Sequence, residues 1–258
     1  VKVMGRDFIT VDEGLQYCKE LIDTTGICLI EEKLEGIEFS LMTFTDGFSF
    51  SHMPIVHDYK RLNDNDLGPQ TGGMGCITNN SLDNNNFMNP IKRLEIELFN
   101  EIVILELQKE CGQLYKGIIY GSYMLTNNGN IKVIEYNCRF GDPESINVLS
   151  LLSTDFMDIC CHISNSKLKD IEIKYQKNAT CVIYAVPTTY PISAPEPGNN
   201  IIITDNTNYN ELIFANTDMT SDTNKYKLLK SRSLAVIGKG ENLIEAYTNG
   251  MGLIQQIS

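Results

Sequence analysis

Two pairs of apolar runs, each broken by a short turn of Asp, Asn and Gly, constrain this chain more than any other feature. Phe39 to Thr45 and Phe48 to Met53 flank Asp46-Gly47, and Ile118 to Leu125 and Ile131 to Tyr136 flank Asn127-Asn128-Gly129. Asp-Gly and Asn-Gly accept the positive φ of a tight hairpin turn, so both pairs read as antiparallel β-hairpins, the first with a type I′ turn. Between them Asn89-Pro90 supplies a helix cap with proline at the first helical position. Ile91, Leu94, Leu98, Ile102 and Leu105 follow at helical spacing as one apolar stripe, and Gly112 lies past its end.

The flanks read in the same way. Thr10 and Glu13 form a capping-box pattern ahead of Leu15, Cys18, Leu21 and Ile22, with Gly26 as the stop. Ile27 to Ile30 reads as a buried strand running into Glu31-Glu32. His57 to Asn86 is polar and glycine-rich, the composition of a long functional loop, with Asn84, Asn85 and Asn86 as its mobile tip. Asp142-Pro143-Glu144 reads as a second cap-and-proline helix start. A compositional shift over Ser164 to Lys177 places a boundary near residue 175, giving domains 1–175 and 176–258. Beyond it come short strands punctuated by Pro187, Pro191, Pro195 and Pro197, then a closing helix from Glu241 to Ile257.

A formal net charge of −12 argues against duplex nucleic acid as a partner, because phosphate contacts need clustered Lys and Arg. No apolar run approaches the length of a membrane span, and no basic–apolar–small pattern in the first residues reads as a secretion signal. The eight cysteines include no C-x-x-C, and Cys18, Cys28, Cys161 and Cys181 sit among apolar residues, as free thiols do in the cytoplasm. The chain starts at Val1 in what reads as a strand or loop tail, and a piece of a longer protein, inactive by itself, is expected.

The candidate chemistry is concentrated in three places. Glu135 and Asn137 are two apart on a predicted strand, so their side chains share a face, and both offer the oxygen that Mg²⁺ takes. On spacing alone a polar strand end explains them equally well. Arg139 follows, able to grip a carboxylate or phosphoryl group with two parallel hydrogen bonds, or to pair with Asp142 or Glu144 at the surface. Gly68 to Gly75 holds Thr71, Gly72 and Gly73 in a run whose backbone could approach an anion, although it matches neither the P-loop nor the dinucleotide fingerprint. Asp58, Lys60 and Arg61 add polar groups nearby. Glu31 to Glu38 is either an exposed acidic edge or a nucleotide hinge.

Three runs carry a resemblance. Ile30 to Ser40, Asp58 to Arg61 with Gly68 to Gly75, and Val133 to Glu144 (Val-Ile-Glu-Tyr-Asn-Cys-Arg-Phe-Gly-Asp-Pro-Glu) resemble, in order and separation, the glycinamide ribonucleotide synthetase family of ATP-grasp ligases. The resemblance implies an α+β fold of ATP-grasp lobes, mostly antiparallel sheets with helices, plus a small C-terminal mixed α/β domain. It implies ATP and Mg²⁺ or Mn²⁺ as cofactors, glycine and 5-phosphoribosylamine as small-molecule substrates, and an N-terminal domain of the same enzyme that is missing here. By resemblance Glu135 and Asn137 hold the metal, and Arg139 is catalytic. Glu32, Lys33 and Leu34 meet adenine and Glu38 the ribose, while Asp58, Lys60, Thr71, Gly72, Gly73 and Asp142 face the substrates. Lys230-Ser-Arg-Ser233 and Ala185 to Pro191 depart from the family's glycine-rich turns. The alternatives are another ATP-grasp carboxylate–amine ligase and a fragment that folds without turning over.

Overall fold

The computed structural model describes residues 2–5, 7–79, 88–196, 198–204 and 208–257. The tip expected at Asn84, Asn85 and Asn86, and Pro197, lie outside the described residues. The chain divides into two compact units, one of 1–37 with 124–132, the other of 38–123 with 133–258.

In the first unit, helix α1 spans Val11–Thr25. The Thr10 hydroxyl accepts from the Glu13 N–H and the Glu13 carboxylate accepts from the Thr10 N–H, so the capping box forms as the sequence requires. Gly26 ends the helix at φ 80°. Gly14 is buried beneath the Phe8 ring, while Leu15 and Ile22 of the expected stripe stay exposed. Ile27 to Ile30 is not a buried strand. Ile27, Leu29 and Ile30 are each more than 70% exposed, and the run belongs to none of the described sheets, so nothing covers its apolar side chains. The turn at Asn127 to Gly129 closes as expected, with Gly129 at φ 84° and the Thr126 N–H donating to the Asn130 carbonyl at 2.9 Å.

A four-stranded sheet, most of its residues in the second unit, runs β2-β1-β5-β6, with β1 Gly36–Thr45, β2 Phe50–His52, β5 Gly117–Thr126 and β6 Ile131–Asn137. β1 and β2 pair antiparallel, but the turn is a four-residue loop, Thr45 facing Phe50, and not a two-residue type I′ turn. Its shape follows from Asp46, which is fully buried. One carboxylate oxygen accepts from the Phe48 and Ser49 N–H groups and the other from the Leu168 N–H at 2.8 Å.

Helix α2, Pro90–Cys111, begins at the Asn89 cap as predicted. It is rotated from the predicted orientation: Ile96, Asn100 and Ile104 are buried, whereas Ile91, Leu94, Leu98, Ile102 and Leu105 are exposed. The helix is apolar on two sides, and a polar side chain decides between them. The Asn100 amide donates to the Leu41 carbonyl and the Thr43 hydroxyl, and its oxygen accepts from Tyr123.

A five-stranded sheet runs β3-β4-β7-β12-β9, with β3 His57–Asn63, β4 Leu67–Thr78, β7 Ala179–Ala185, β9 Leu212–Phe214 and β12 Leu234–Gly240. The stretch expected as a long loop is therefore largely a hairpin. Asn65 and Asp66 turn it at φ 59° and 57°, a left-handed pair that Asn and Asp tolerate. The glycines of 68–75 lie in β4, and the pairing with β3 slips after Tyr59. The boundary expected near residue 175 falls inside the second unit, because β7 pairs with β4 over Gly75 to Thr78. Three further short strands, β8 Asn200–Ile202, β10 Thr217–Met219 and β11 Lys225–Leu228, make a separate sheet ordered β10-β11-β8. Helices α3 Glu144–Leu149 and α4 Phe156–Ser164 follow β6, and α5 Leu243–Ile254 closes the chain. The larger core gathers Met42, Phe44, Val56, Tyr120, Val148, Ile159, Val182 and Ile237. No described helix is long and apolar enough to cross a membrane.

Asp46 supports a prediction. Burial opposes its ionisation, but the backbone N–H groups of Leu168, Phe48 and Ser49 outweigh that and hold the carboxyl below its ordinary 3.8. A depressed folded value stabilises fully above 3.8 and is lost as pH falls through the lower folded value. Asp46→Ala should cost about 1–3 kcal/mol in urea unfolding at neutral pH, since it strands the buried Leu168 N–H and frees two partly buried ones. The gap to wild type should shrink in acid; an equal gap at every pH contradicts this reading.

Candidate functional site

The site is assembled around the end of β6 and the turn into α3. Glu135 and Asn137 project from the same face of β6, as the two-residue period dictates. The Asn137 amide nitrogen donates to Glu135 Oε1 at 3.0 Å, which leaves the Asn137 carbonyl oxygen and the second Glu135 oxygen as acceptors. Both are hard oxygen donors and Glu135 is exposed, a set that fits a Mg²⁺-type cation. Arg139 lies two residues on, exposed, its guanidinium resting on the Phe140 carbonyl at 2.8 Å.

The turn from 138 to 144 does not use the expected cap. The Asp142–Pro143 peptide is cis, and α3 starts after Pro143 with no side-chain cap. Asp142 instead accepts from the Tyr184 hydroxyl at 2.7 Å on one oxygen and from Arg232 at 2.8 Å on the other. Arg232 also donates to the carbonyls of Gly72, Gly73 and Asp142 at 2.9, 3.0 and 3.1 Å, and its guanidinium stacks on Tyr184. Asp142 therefore acts as a strut, each oxygen holding a partner within the protein while the side chain stays half exposed.

The glycine run is likewise engaged. The Gly73 N–H donates to the Thr71 hydroxyl at 3.1 Å, and that hydroxyl donates to the Lys60 carbonyl at 2.9 Å. The Gly72 N–H points to the Tyr190 hydroxyl oxygen at 3.4 Å. These groups hold the hairpin and do not form the open anion cradle expected of a loop. Gly73 sits at φ +113°, and a Cβ there would lie 2.6 Å from Pro143 Cδ and 3.0 Å from Asp58 Oδ1.

Glu38, Asp58, Lys60 and Glu144 form a mostly buried charged group. Lys60 pairs directly with Glu38 and lies 3.9 Å from Asp58 Oδ2. Glu144 is 3% exposed and accepts from the Tyr120 hydroxyl at 2.7 Å. The Asp58 side chain is 4% exposed, and its Oδ1 has no hydrogen-bond partner. Burial first, then the negative charges of Glu144 and Glu38, push the Asp58 carboxyl up to about 8, against Lys60 and the Tyr59 N–H.

The expected hinge residues belong to the first unit. Glu32 pairs with Lys132 at 3.2 Å, Lys33 pairs with Glu35 at 2.9 Å, and Leu34 is half-buried. Of the remaining predicted residues, the second unit gathers Glu38, Asp58, Lys60, Thr71, Gly72 and Gly73 with Asp142, and places Glu135, Asn137 and Arg139 on β6 and its exit. Sequence reasoning missed Arg232, Tyr184 and Tyr120. No local pattern marks Arg232, whose partner Gly72 is 160 residues away.

The family profile described as phosphoribosylglycinamide synthetase, ATP-grasp (A) domain, matches residues 8–145. A phosphoribosylamine–glycine ligase of Methanocella arvoryzae is 38% identical over 246 residues, covering 95% of this chain and 55% of that protein. One from Pyrococcus furiosus is 37% identical over 262 aligned positions, covering all of this chain and 57% of its own length. The crystal structure of a phosphoribosylamine–glycine ligase from Thermotoga maritima matches with a TM-score of 0.77 at 28% identity, covering 98% of this chain and 62% of that one. The chain spans about half the length of the curated relatives it matches.

The Asp58 carboxyl gives a signed expectation. A folded value raised from 3.8 to about 8 means that this group lowers stability increasingly as pH climbs from 3.8 to about 8, because only the unfolded state ionises freely there. Asp58→Asn should therefore raise the melting temperature at pH 8 by several degrees and change it little at pH 4. A destabilised Asn variant at pH 8 contradicts the assignment.

Proposed function

The chain belongs to the phosphoribosylglycinamide synthetase ATP-grasp family, and from that membership we propose that it carries the C-terminal part of an ADP-forming ligase joining glycine to 5-phosphoribosylamine. ATP-grasp ligases use ATP and a divalent metal. In the proposed reaction the glycine carboxylate attacks the γ-phosphoryl group of ATP, giving glycyl phosphate and ADP. The amine of phosphoribosylamine then displaces phosphate, losing one proton, to give glycinamide ribonucleotide. No protein nucleophile is needed, so the task of the chain is to position reactants and balance charge.

The observation that carries this reading is the pairing of Glu135 with Asn137 on one face at the end of β6, two residues before Arg139. Glu135 and Asn137 would hold Mg²⁺ or Mn²⁺, which when bound supplies positive charge to the phosphate oxygens. Arg139 stabilises the transferring phosphoryl group or the glycine carboxylate. Glu32, Lys33 and Leu34 receive adenine, and Glu38, neutralised by Lys60, takes the ribose hydroxyls. Asp58 and Lys60 face the reacting substrates. Asp142, Thr71, Gly72 and Gly73 act by holding the hairpin and the 138–144 turn together. Eight free cysteines, two of them buried, support a reducing cytoplasmic location.

Glu135→Ala, made in the ligase at its natural length, should lower glycine-dependent ADP release on the order of 10³-fold, with an unchanged melting temperature. Turnover near wild type in that variant refutes the proposed role, and ADP release that ignores glycine refutes the substrate.

A further inference from the structure

β6 is the outer strand of its sheet, bonded to β5 alone, and its last residues leave directly into the 138–144 turn. A strand end of this kind frays unless its side chains are held. Glu135 and Asn137 point to one face there, so Tyr136 between them points to the other. On that other face the Tyr136 ring meets the Tyr123 ring edge-on at 6.2 Å, and the two hydroxyls lie 3.4 Å apart.

Tyr123 has no freedom to yield. It is fully buried, and its ring stacks with Phe39 at 5.7 Å and with Phe99 at 6.3 Å. Its hydroxyl donates to Asn100 Oδ1 at 2.5 Å. The two meet over Gly121, where a Cβ would fall 2.5 Å from the Tyr123 hydroxyl and 2.6 Å from the Asn100 oxygen.

The hydrogens beyond Asn100 can be counted. Its amide gives both of them away, to the Leu41 carbonyl at 3.1 Å and to Thr43 Oγ1 at 2.8 Å. The hydrogen of Thr43 is then left for His52 Nδ1 at 2.9 Å. Nδ1 is therefore bare, and Nε2 carries the hydrogen that goes to Glu101 Oε1 at 3.1 Å. Burial holds His52 below its ordinary 6.5, with Arg93 and against Glu101 and Glu97, in keeping with this neutral form. The donors all run one way, from Tyr123 through Asn100, Thr43 and His52 to the Glu101 carboxylate, and bonds aligned in this manner strengthen one another. With Tyr136 at its head, the row ties all four strands of the sheet to α2.

We propose that this hydrogen-bonded row, through the contact of Tyr123 with Tyr136, positions the end of β6 so that Glu135 and Asn137 stand ready for the divalent cation. Tyr123 and Tyr136 are then positioning residues, acting from the face opposite those oxygens. The role of the cation rests on the ligase reading; the anchoring of β6 rests on the geometry alone.

Tyr123→Phe, Tyr136→Phe and the double variant, made in the ligase at its natural length, test the link as a double-mutant cycle. Mn²⁺ is titrated by water-proton relaxation with ADP present, and hydrogen exchange is followed over β6. Each single change should weaken Mn²⁺ about three- to tenfold and speed exchange at β6, and the double variant should do no more than Tyr123→Phe alone. Tyr136→Phe leaves Tyr123 bonded to Asn100, so its urea midpoint should not move while its Mn²⁺ affinity falls. Additive losses overturn the positioning role, and so does wild-type Mn²⁺ affinity or wild-type exchange in Tyr136→Phe. If the unaltered ligase binds no Mn²⁺, the metal role of Glu135 and Asn137 falls and exchange alone decides. Faster exchange at β6 in both single variants, no faster in the double, then keeps the anchor; unchanged exchange removes it.

Discussion

The arrangement of the site depends on one buried amide. Asn147, fully buried in α3, donates to the Cys76 carbonyl of β4 at 2.9 Å, while its oxygen accepts the Thr180 hydroxyl of β7. It therefore fastens α3 to two neighbouring strands at once. α3 begins directly after the 138–143 turn, so that anchor also fixes where Arg139, Asp142 and Glu144 can stand. The strands must come close for this to work. Gly75 allows it, since a Cβ there would fall 2.2 Å from the Val182 carbonyl oxygen. A buried amide that loses its partners costs about 1–3 kcal/mol for each group left unpaired, a sizeable share of the roughly 5–15 kcal/mol of a whole domain.

From that anchor follows an electrostatic pattern. Two cations of the second unit are spent on internal carboxylates, Lys60 on Glu38 and Arg232 on Asp142, while Arg139 rests on the Phe140 carbonyl. What the end of β6 presents beside Arg139 is oxygen, from Glu135 and Asn137, while Asp58 and Glu144 are buried. A net charge of −12 is the global counterpart of this surplus. Under the proposed ligase reading, a site of this kind would work with cations that arrive from outside, which suits a reaction in which a divalent metal, a polyphosphate and an amine must meet.

Much of this was legible in the sequence wherever the deciding interaction is local. The Thr10–Glu13 box, the Asn89 cap, the 126–130 turn and the shared face of Glu135 and Asn137 each depend on residues within a few positions. Legibility failed where a distant partner decides. The Asp46 loop is shaped by the Leu168 N–H, 122 residues away, so Asp-Gly alone gave the wrong turn. The buried side of α2 is chosen by Asn100 reaching Leu41 and Thr43, and hydrophobic spacing could not separate two apolar faces. The glycines of β4 looked like a loop because β7, which they accommodate, lies about a hundred residues downstream. Arg232 lies in a segment with no local pattern to mark it, and its role emerges only when β4 and the 138–144 turn are brought together.

The central claim is that these oxygens and cations serve an acyl phosphate formed on glycine. Glycine labelled with ¹⁸O in its carboxylate, turned over with ATP and phosphoribosylamine by the ligase carrying this chain, tests it directly. The account predicts one ¹⁸O atom in each inorganic phosphate released. Phosphate free of label, with the ¹⁸O lost from the glycine carboxylate appearing in water, contradicts it.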